Sequence, residues 1–476
     1  MRRRRRASLA QSPVQSSRRC GRGSRTAALI LGRLLPVRWG PWPNPPLLFV
    51  GEERCRPEYG VFSTIDRIAR CEAKSQSDPA TTLERVTSRQ PVPRDRANDY
   101  TNEQATARRR FAGERTGADL THVGSYSFDP TVLPGNIENF IGVAQVPIGL
   151  AGPLRVNGEH ASGDYYIPLA TTEGTLVASY NRGMRLLSEA GGVRATVVDD
   201  RMQRAPVFMF DNALQAREFG VWLTEHHDEI AAAAESTTSI GKLIEIEQYA
   251  VGPLRYLRFD YTTGDAAGQN MVGRATWAAC EWIRANHPDS PHYVLSGAID
   301  TDKKHSQINV MRTRGKRVVA EAVLPATLLE QTMGVTPSQL FRMRQVSQAG
   351  GTLAGTANNG AHAANGLAAL FIATGQDVAN VAESHAAMVY SQLLDNGDYY
   401  WSITLPALIV ATVGGGTGLP TQRECLELLD CVGPGKAHAL AEICAAVVLA
   451  GEVSLSSAVL AGDWVTSHER MGRNRG

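Results

Sequence analysis

The sequence lacks the features by which several large classes of protein are recognised. Its seven cysteines are odd in number and scattered, and no two have CxxC spacing, which argues against a disulfide framework or a structural zinc site. No apolar run reaches the ~20 residues that a membrane-spanning helix needs, and the best window, 27–35, is interrupted by Arg33. We therefore expect a soluble, cytoplasmic protein that binds neither a metal nor a membrane.

Acidic residues are absent from the first 50 positions, which are rich in arginine. The net charge of +2 is therefore the sum of a basic N-terminal segment and a mildly acidic remainder. The charge as a whole gives no argument for a nucleic-acid partner. Residues 1–95 show no helix or strand periodicity and include the Pro-rich PWPNPP. Such a segment is predicted to be a disordered extension; a transit peptide or a nucleic-acid-binding arm is the alternative.

The rest of the chain has the composition of a globular protein. With 476 residues, 43% apolar and 20% charged, it has room for two or three domains. A polar, helix-permissive stretch at 101–117 predicts a small helical segment over residues 96–130. Strand-like and helix-like patterns then alternate densely, which predicts an α+β fold.

The middle of the chain gives the clearest order of elements. They are strand 206–210, helix 212–236, strands 242–249 and 255–261, helix 265–285 and strand 292–295. This βαββαβ order is typical of a ferredoxin-like fold. Because other structure flanks it, we expect a small domain, 206–295, inserted into a large α/β domain made of residues 131–205 and 296–465. In the second part of the large domain, two strands are predicted within 307–324, and helices at 361–374 and from 436 to about 464.

Two glycine-rich segments are candidate ligand sites. TGDAAGQNM, at 263–271, opens a predicted helix, where glycine leaves backbone N–H groups free for a pyrophosphate. A helix cap by Asp265 is an equally good interpretation, and the GxGxxG fingerprint is absent. VGGGTG, at 413–418, follows an apolar strand and permits either close contact with a flat ligand or a tight structural turn.

Four titratable residues are candidates for catalysis. Glu173 lies among apolar positions, where partial burial would raise its pKa and make it a proton donor; a favourable charge in the first turn of a helix is the alternative. Lys303 follows the last strand of the predicted insert, and Asp377 follows an apolar helix; a solvated lysine and a helix C-cap turn are their alternatives. His468 lies near the terminus, where an exposed tail histidine is the ordinary interpretation.

Taken together, these segments resemble the motifs of 3-hydroxy-3-methylglutaryl-coenzyme A (HMG-CoA) reductases, in that family's order. The motifs are ENFIGVAQVPIGLAGPL (138–154), PLATTEGTLVAS (168–179), TGDAAGQNM (263–271), SGAIDTDKK (296–304), GAHAANGLAALFIATGQD (360–377), TVGGGTGLP (412–420) and a final SH (467–468). The resemblance covers about residues 100–470, and the TTEG form is similar to class I rather than to the degradative class II enzymes.

The resemblance implies the four-electron reduction of (S)-HMG-CoA to (R)-mevalonate and CoA with two NADPH, which feeds isoprenoid biosynthesis through the mevalonate pathway. It implies that Lys303 stabilises the oxyanion that forms as hydride arrives. It further implies that Glu173 supplies a proton, that Asp377 bridges Glu173 and Lys303, and that the three titrate as a unit. His468, on a mobile C-terminal flap at 466–476, would protonate the departing thiolate.

The resemblance also assigns binding residues and an assembly. The residues for the hydroxymethylglutaryl part are Arg204, Ser296, Asp302, Lys304, His362 and Asn365. The residues on the helix that contacts CoA are Ser179, Asn181, Arg182 and Arg185. The residues for the nicotinamide cofactor are Asp265, Gly268, Gln269, Asn270, Ser239, Gly414 and Gly415. The family is oligomeric, so a homotetramer built as a dimer of dimers, with shared active sites, is implied.

The chain departs from the family pattern at several positions. Ala298 stands where Asn is usual, and Ser239 where an Arg would meet the 2′-phosphate of NADPH. NADH is therefore an alternative cofactor, although Lys242 is a possible substitute for the Arg. A lysine expected upstream of the Gly-rich helix is absent, and Arg344 is the nearest basic residue.

Three other functions remain alternatives. The first is an NAD-dependent degradative HMG-CoA reductase. The second is a lysine-dependent acyl-CoA lyase or aldolase in which Lys303 forms a Schiff base. The third is a nucleic-acid binder with a basic tail.

Overall fold

The computed structural model describes residues 90–356, 358–462 and Glu469. The predicted extension up to residue 89 and the predicted catalytic His468 lie outside the described residues. What the sequence predicts for them therefore stays a prediction.

The first described helix, α1 (Asn102–Thr116), lies within the polar stretch 101–117 that the sequence marks as helix-permissive. Thr101 caps it, because its hydroxyl accepts the backbone N–H of Gln104 at 3.3 Å. Arg108, on α1, is fully buried; it pairs with the Asp99 carboxylate and donates to the carbonyls of Pro93 and Asp99 at 2.9 Å each. A buried guanidinium needs such partners, so Arg108 ties the segment before α1 to this helix.

Ten strands follow among the described residues and belong to one sheet. They are β1 (Ile148–Gly158), β2 (Ser162–Ala170), β3 (Val193–Arg204), β4 (Val207–Met209), β5 (Leu243–Val251), β6 (Leu254–Tyr261), β7 (His292–Val294), β8 (Gly315–Leu324), β9 (Met388–Leu393) and β10 (Tyr399–Leu408). The main path runs β7-β4-β6-β3-β8-β10-β9, with β5 beside β6, and with β1 beside β2 and parallel to β3.

The helices after α1 cover this sheet and connect its strands. They are α2 (Leu176–Glu189), α3 (Ala213–Glu225), α4 (His227–Glu235), α5 (Gln269–Asn286), α6 (Gln307–Arg312), α7 (Ala326–Met333), α8 (Pro337–Ala354), α9 (Ala363–Thr374), α10 (Val381–Ser384), α11 (Pro420–Leu428) and α12 (Ala437–Ala461). Short 3₁₀ turns lie at Pro130–Val132, Val378–Asn380 and Gly415–Gly418.

The stretch from β4 to β7 has the element order βααββαβ, which differs from the predicted βαββαβ order in having two helices in place of the first one. Its four strands are antiparallel neighbours in the order β7-β4-β6-β5. They pack with α3 and α5 around a hydrophobic cluster that includes Phe208, Phe219, Phe259 and Ile283. The sheet continues into the rest of the fold because β3 also pairs with β6, at Arg204 opposite Phe259.

Three sequence predictions about elements are wrong in detail. The helix predicted over 212–236 is two helices, since the backbone at His226 leaves the helical conformation (φ −110, ψ 22). The first of the two strands predicted in 307–324 is helix α6, because the Ser306 hydroxyl caps it by accepting the Asn309 N–H. The helix predicted from residue 265 begins at Gln269, after Gly268 with φ 78.

The long helix α12 lies in the centre of the larger hydrophobic cluster. Its sequence is apolar enough to cross a membrane, with a hydropathy of 2.0, but 83% of that window is buried inside the fold. It packs against α2, α9, β3 and β8. We conclude that α12 is the core helix of the fold. Its two buried carboxylates, Glu442 and Glu452, both bind backbone N–H groups of other segments.

Candidate active site

Lys303 lies on a tightly held loop between β7 and α6. Ala298, Thr301 and Lys303 all have positive φ, at 69, 55 and 55, a region that non-glycine residues rarely adopt. The loop is fixed by Asp300, which accepts from Arg204 Nη1 at 2.8 Å and from the Ser296 hydroxyl at 2.9 Å. Two residues that the resemblance assigns to the substrate thus also hold the lysine loop.

The structure brings Lys303 and Asp377 together, as the resemblance implies. Lys303 Nζ lies 2.8 Å from Asp377 Oδ2, and this hydrogen bond raises the pKa of Lys303, which keeps the ammonium charged. The other oxygen of Asp377 accepts the Ala379 N–H at 3.0 Å. The carboxylate is therefore the N-cap of the Val378–Asn380 turn and the partner of the lysine at once.

Glu383 and Arg314 lie beneath the lysine and were not predicted. The backbone N–H of Lys303 donates to Glu383 Oε2 at 3.1 Å, and Arg314 Nε lies 3.3 Å from the same oxygen. Arg314 also pairs with Asp302 at 2.6 Å. Burial raises the pKa of Glu383 to about 7. No local pattern distinguishes Glu383 from a surface glutamate of a short helix, because its partners come from distant segments.

Both glycine-rich segments line one cleft of about 600 Å³. The predicted residues in its wall are Gly268, Gln269, Asn270, Gly414, Gly415 and Asp377. Gly268 tolerates no side chain, because an added Cβ would lie 2.2 Å from Thr263 Cγ2. Gln269 Nε2 donates to Asp302 Oδ1 at 3.3 Å and to Asn380 Oδ1 at 3.0 Å. The cleft is thus continuous with the lysine site.

Asp265 and Ser239 do not line this cleft. The Asp265 carboxylate accepts the N–H groups of Gly435 and Ala437 at 2.8 and 3.0 Å, at the start of α12. Its carbonyl accepts the Thr412 N–H at 2.9 Å, so Asp265 connects the two glycine-rich segments. Ser239 is exposed in a turn, and the nearby Lys242 pairs with Glu235 at 2.7 Å.

His362 forms a second cluster with Tyr180, Asn365 and Ser179. Its ring stacks on Tyr180 with 4.7 Å between centroids. Nδ1 of His362 lies 3.0 Å from Asn365 Nδ2, and Nε2 lies 3.5 Å from the Ser179 hydroxyl. Burial lowers the pKa of His362 to about 4, so the imidazole is neutral near pH 7. The resemblance assigns three of these residues to substrate or CoA, and the structure places them side by side.

The predicted CoA-binding residues lie on α2. Arg182 donates to the Ser454 hydroxyl and carbonyl at 3.2 and 2.7 Å. Asn181 accepts the Gly152 N–H at 2.8 Å, and Arg185 pairs with Glu189, one turn later on the exposed side. Lys304 also lies exposed and donates to the Asp302 carbonyl at 3.0 Å. Both exposed cations, Arg185 and Lys304, are accessible to an anionic ligand.

Glu173 is exposed, so the partial burial expected from its apolar neighbours is wrong. The helix begins three residues later, at Leu176, and Glu173 lies in the connection that precedes it. Within the described part of the chain, no hydrogen bond or ion pair joins its carboxylate to Lys303 or Asp377.

A cationic lysine held on a carboxylate, beside a glycine-lined cleft in a mixed α+β fold, is the arrangement of an enzyme's active site. The family profile described as "Hydroxymethylglutaryl-coenzyme A reductase" matches residues 104–473. The chain belongs to this family and is therefore an oxidoreductase. It has HMG-CoA reductase activity, and the reaction is a step of the mevalonate pathway.

Curated relatives and solved structures agree with the family. Over 374 residues the chain is 45% identical to 3-hydroxy-3-methylglutaryl-coenzyme A reductase of Pyrococcus horikoshii, covering 77% of this chain and 91% of the relative. The Aeropyrum pernix enzyme is 44% identical over 380 residues, 78% of this chain and 90% of the relative. The NADPH-bound class II reductase of Streptococcus pneumoniae is similar in fold, with a TM-score of 0.57 at 22% identity over 82% of this chain and 98% of that chain. The higher identity to the archaeal enzymes agrees with the predicted class I form.

Proposed function

We propose that the chain reduces (S)-HMG-CoA to (R)-mevalonate and CoA in the biosynthetic direction, with NADPH as the reductant. The observation that supports this most is the Lys303–Asp377 pair at 2.8 Å, at the edge of the cleft that both glycine-rich segments line. NADPH, when bound there, supplies the hydride. Nothing lies within 4 Å of a Cβ added at Gly414 or Gly415, so the backbone there leaves room for a flat ligand to approach closely.

The residues of the chain then stabilise the negative charge that develops on the substrate and supply the protons. As the thioester carbonyl gains hydride, its oxygen becomes an anion, and the Lys303 ammonium stabilises that charge. When the hemithioacetal collapses, the C–S bond breaks and CoA leaves as a thiolate, to which His468 would deliver a proton. The resulting aldehyde takes a second hydride, and its oxygen takes a proton, for which Glu173 is the proposed donor.

We propose the predicted domain organisation as the basis of this chemistry. Residues 206–295 would form the ferredoxin-like cofactor domain, inserted between the two parts of the substrate domain, 131–205 and 296–465. The strand order β7-β4-β6-β5 and a hydrophobic cluster of its own support the insert. The lysine loop follows β7 directly, so hydride donor and oxyanion stabiliser would meet where the two domains join.

We also propose a homo-oligomer with shared active sites. The second half of α8 supports this, because nearly every residue from Gln345 to Thr356 is exposed. Val346 and Leu353 are 66% and 91% exposed there. They are seven residues apart and so lie on the same face of the helix, and an exposed apolar face favours a partner. A cytoplasmic location is supported by Cys280, Cys425, Cys431 and Cys444, which are free and buried.

An NADH-dependent enzyme is the second candidate, and a specific observation favours it. A 2′-phosphate needs a free cation, but Ser239 is neutral and Lys242 is neutralised by Glu235 at 2.7 Å. Cofactor preference therefore depends on whether Lys242 leaves Glu235 when NADPH binds.

The experiment follows the near-ultraviolet absorbance of NADPH and of NADH, in parallel, with HMG-CoA and the full chain. Oxidation of about two cofactors per CoA released, faster with NADPH, is the expected result. Faster oxidation of NADH would replace the cofactor assignment. Cleavage of a C–C bond of HMG-CoA, with the thioester kept on a product and no cofactor oxidised, would instead support the lyase alternative. Lys303→Ala serves as the inactive control.

A further inference from the structure

Glu452 is a fully buried carboxylate in the middle of α12, outside the lysine site. It accepts the Ala361 N–H at both oxygens, at 2.8 and 2.9 Å, and the His362 N–H at 2.6 Å. A buried charge is costly unless such partners satisfy it. A side chain of α12 therefore holds the backbone at Ala361 and His362, which precede α9.

The held segment is the N-terminus of α9. This helix has no side-chain cap of its own, and His362 is its N-cap residue. A carboxylate at this position is stabilised by the helix dipole as well as by the N–H bonds. Arg344 adds to the support, because its guanidinium donates to the Asn359 carbonyl at 3.0 Å and attracts the Glu452 charge.

The rest of His362 is held as tightly as its N–H group. The Tyr180 hydroxyl donates to the His362 carbonyl at 2.6 Å, and the Tyr180 ring stacks on the imidazole. Tyr180 cannot move away, because Gly366 and Gly451 pack so closely that a Cβ on either would lie 2.4–2.5 Å from it. Glu452 and Tyr180 therefore fix the backbone of His362 on both sides.

This arrangement also selects the tautomer of His362. The Asn365 amide N–H lies 3.0 Å from Nδ1, so Nδ1 accepts and the single proton of the neutral ring is on Nε2. Nε2 faces the Ser179 hydroxyl at 3.5 Å, and Ser179 in turn lies 3.1 Å from Ser454 on α12. Because the contact at Nε2 is long, this N–H can exchange it for a hydrogen bond to an oxygen atom of a ligand.

We propose that Glu452 is a positioning residue for substrate binding, which fixes His362 as a neutral Nε2–H donor by holding the backbone of residues 361–363. The inference rests on the proposed contact between His362 and the hydroxymethylglutaryl part of the substrate. Glu452 itself touches no substrate. It acts only through the geometry of His362.

Glu442 provides a matched control on the same helix. It is also fully buried, and it accepts three backbone N–H groups, from Glu159, His160 and Ala161, at 3.1, 2.9 and 2.7 Å. These belong to the β1–β2 turn, away from His362. Glu442→Gln and Glu452→Gln thus remove the same charge and the same kind of bond from the same helix. Only Glu452→Gln removes the bonds that hold the backbone of His362.

The experiment compares Glu452→Gln, Glu442→Gln and His362→Ala by thermal unfolding and by steady-state kinetics. For Glu452→Gln we expect the KM for HMG-CoA to rise about 10- to 100-fold, as the loss of one hydrogen bond to the substrate can produce, while the KM for NADPH is unchanged. Glu442→Gln should lower the melting temperature similarly and leave both KM values as they are. Tyr180→Phe, which removes the other backbone bond, should raise the KM for HMG-CoA alone.

Nuclear magnetic resonance of ¹⁵N-labelled imidazoles gives a readout that stability does not move. The His362 signal should report an Nε2–H tautomer in the native chain and in Glu442→Gln. In Glu452→Gln it should become a mixture of tautomers, with a pKa closer to that of a solvated histidine. An unchanged His362 signal and an unchanged KM in Glu452→Gln would overturn the inference. A normal KM in His362→Ala would instead overturn the substrate contact on which it rests.

Discussion

Asp377 controls the charge on Lys303, since the hydrogen bond between them raises the pKa of the lysine. Asp377→Asn keeps the size but removes the charge, so the pKa of Lys303 falls. The alkaline limb of the pH–rate profile, where Lys303 loses its proton, should then move to lower pH. Loss of this electrostatic support should lower kcat by about 10²–10³-fold.

Steady-state kinetics across the neutral and alkaline range test this prediction. Asp395→Asn, at an exposed turn between β9 and β10, is the control and should behave as the native chain does. An alkaline limb that stays in place in Asp377→Asn would show that the two groups do not titrate together.

Ala298 shows that a departure from the family pattern has a backbone cost. Its φ is 69, in the left-handed region that Asn adopts far more readily than Ala. Ala298→Asn should therefore stabilise the loop that carries Lys303, by about 0.5–1 kcal/mol. Chemical denaturation measures the change, and Ala298→Val, which is β-branched, should be destabilising. Equal stability of the two variants would contradict the argument.

The residues of the site were predictable to very different degrees. Lys303 and Asp377 lie in long motifs, so the resemblance identified both. Glu383 was missed because its function depends on burial and on the Lys303 N–H 80 positions away, neither of which leaves a local pattern. The expected burial of Glu173 failed for the converse reason. Apolar neighbours along the chain belong to the buried face of α2, whereas Glu173 precedes that helix.

At the scale of elements, Asp265 connects the two glycine-rich segments that line the cleft to the core helix. Its carboxylate caps α12 through Gly435 and Ala437, while its carbonyl holds Thr412 beside the second glycine-rich segment. Asp265→Ala leaves the carbonyl bond in place and removes the cap, which should cost about 1–2 kcal/mol. Because the cleft wall loosens, the KM for the cofactor should rise more than the KM for HMG-CoA.

Denaturation and two-substrate kinetics give both quantities. Asp289→Ala, an exposed residue after α5, is the matched control. If Asp265→Ala lowered stability and left both KM values unchanged, the cap would be independent of the cleft.

The order of the strands from β4 to β7 was predictable from the sequence, because the apolar period is clear in each of them. The prediction fails at 307–312, where a segment is too short for the strand period of two residues to be distinguished from the helix period of about 3.6 residues. Ile308 and Val310 alternate as in a strand, but the Ser306 hydroxyl closes a helical turn over Asn309 and decides for α6. The break at His226 has no proline or glycine to mark it. After the break, α4 packs chiefly on α5, a contact between distant segments that leaves no local pattern.

At the scale of the whole molecule, Glu383 makes stability depend on pH. Burial raises its pKa from 4.5 to about 7, so between these values the folded state keeps a proton that the unfolded state releases. The native chain therefore loses stability as pH rises through this window, by at most about 1.4 kcal/mol per pH unit from this group. Glu383→Gln cannot release a proton, so its stability relative to the native chain should rise over the same window.

Denaturant unfolding at several pH values measures the difference. Glu330→Gln, an exposed residue on α7, should run parallel to the native chain. Parallel curves for Glu383→Gln as well would show that Glu383 is ionised throughout the window.

The proposed assembly predicts that Leu353, 91% exposed on α8, is covered by a second copy of the chain. Leu353→Glu would bury an unpaired charge in that contact, so sedimentation should show a smaller species, and activity should fall because the sites are shared. Gln348→Glu, on the same exposed half of α8, is the control for added charge. An oligomer of unchanged size in Leu353→Glu would place the interface elsewhere.

The position of α12 along the chain has a consequence for biosynthesis. A ribosome delivers a protein from its N-terminus, and the elements that pack against α12, including α2, α9, β3 and β8, all precede it. The one described segment with the hydropathy of a membrane anchor is therefore made only after the groove that receives it. The backbone N–H groups that bind its two carboxylates have also been synthesised by then, so α12 can be covered by its partners as soon as it leaves the ribosome.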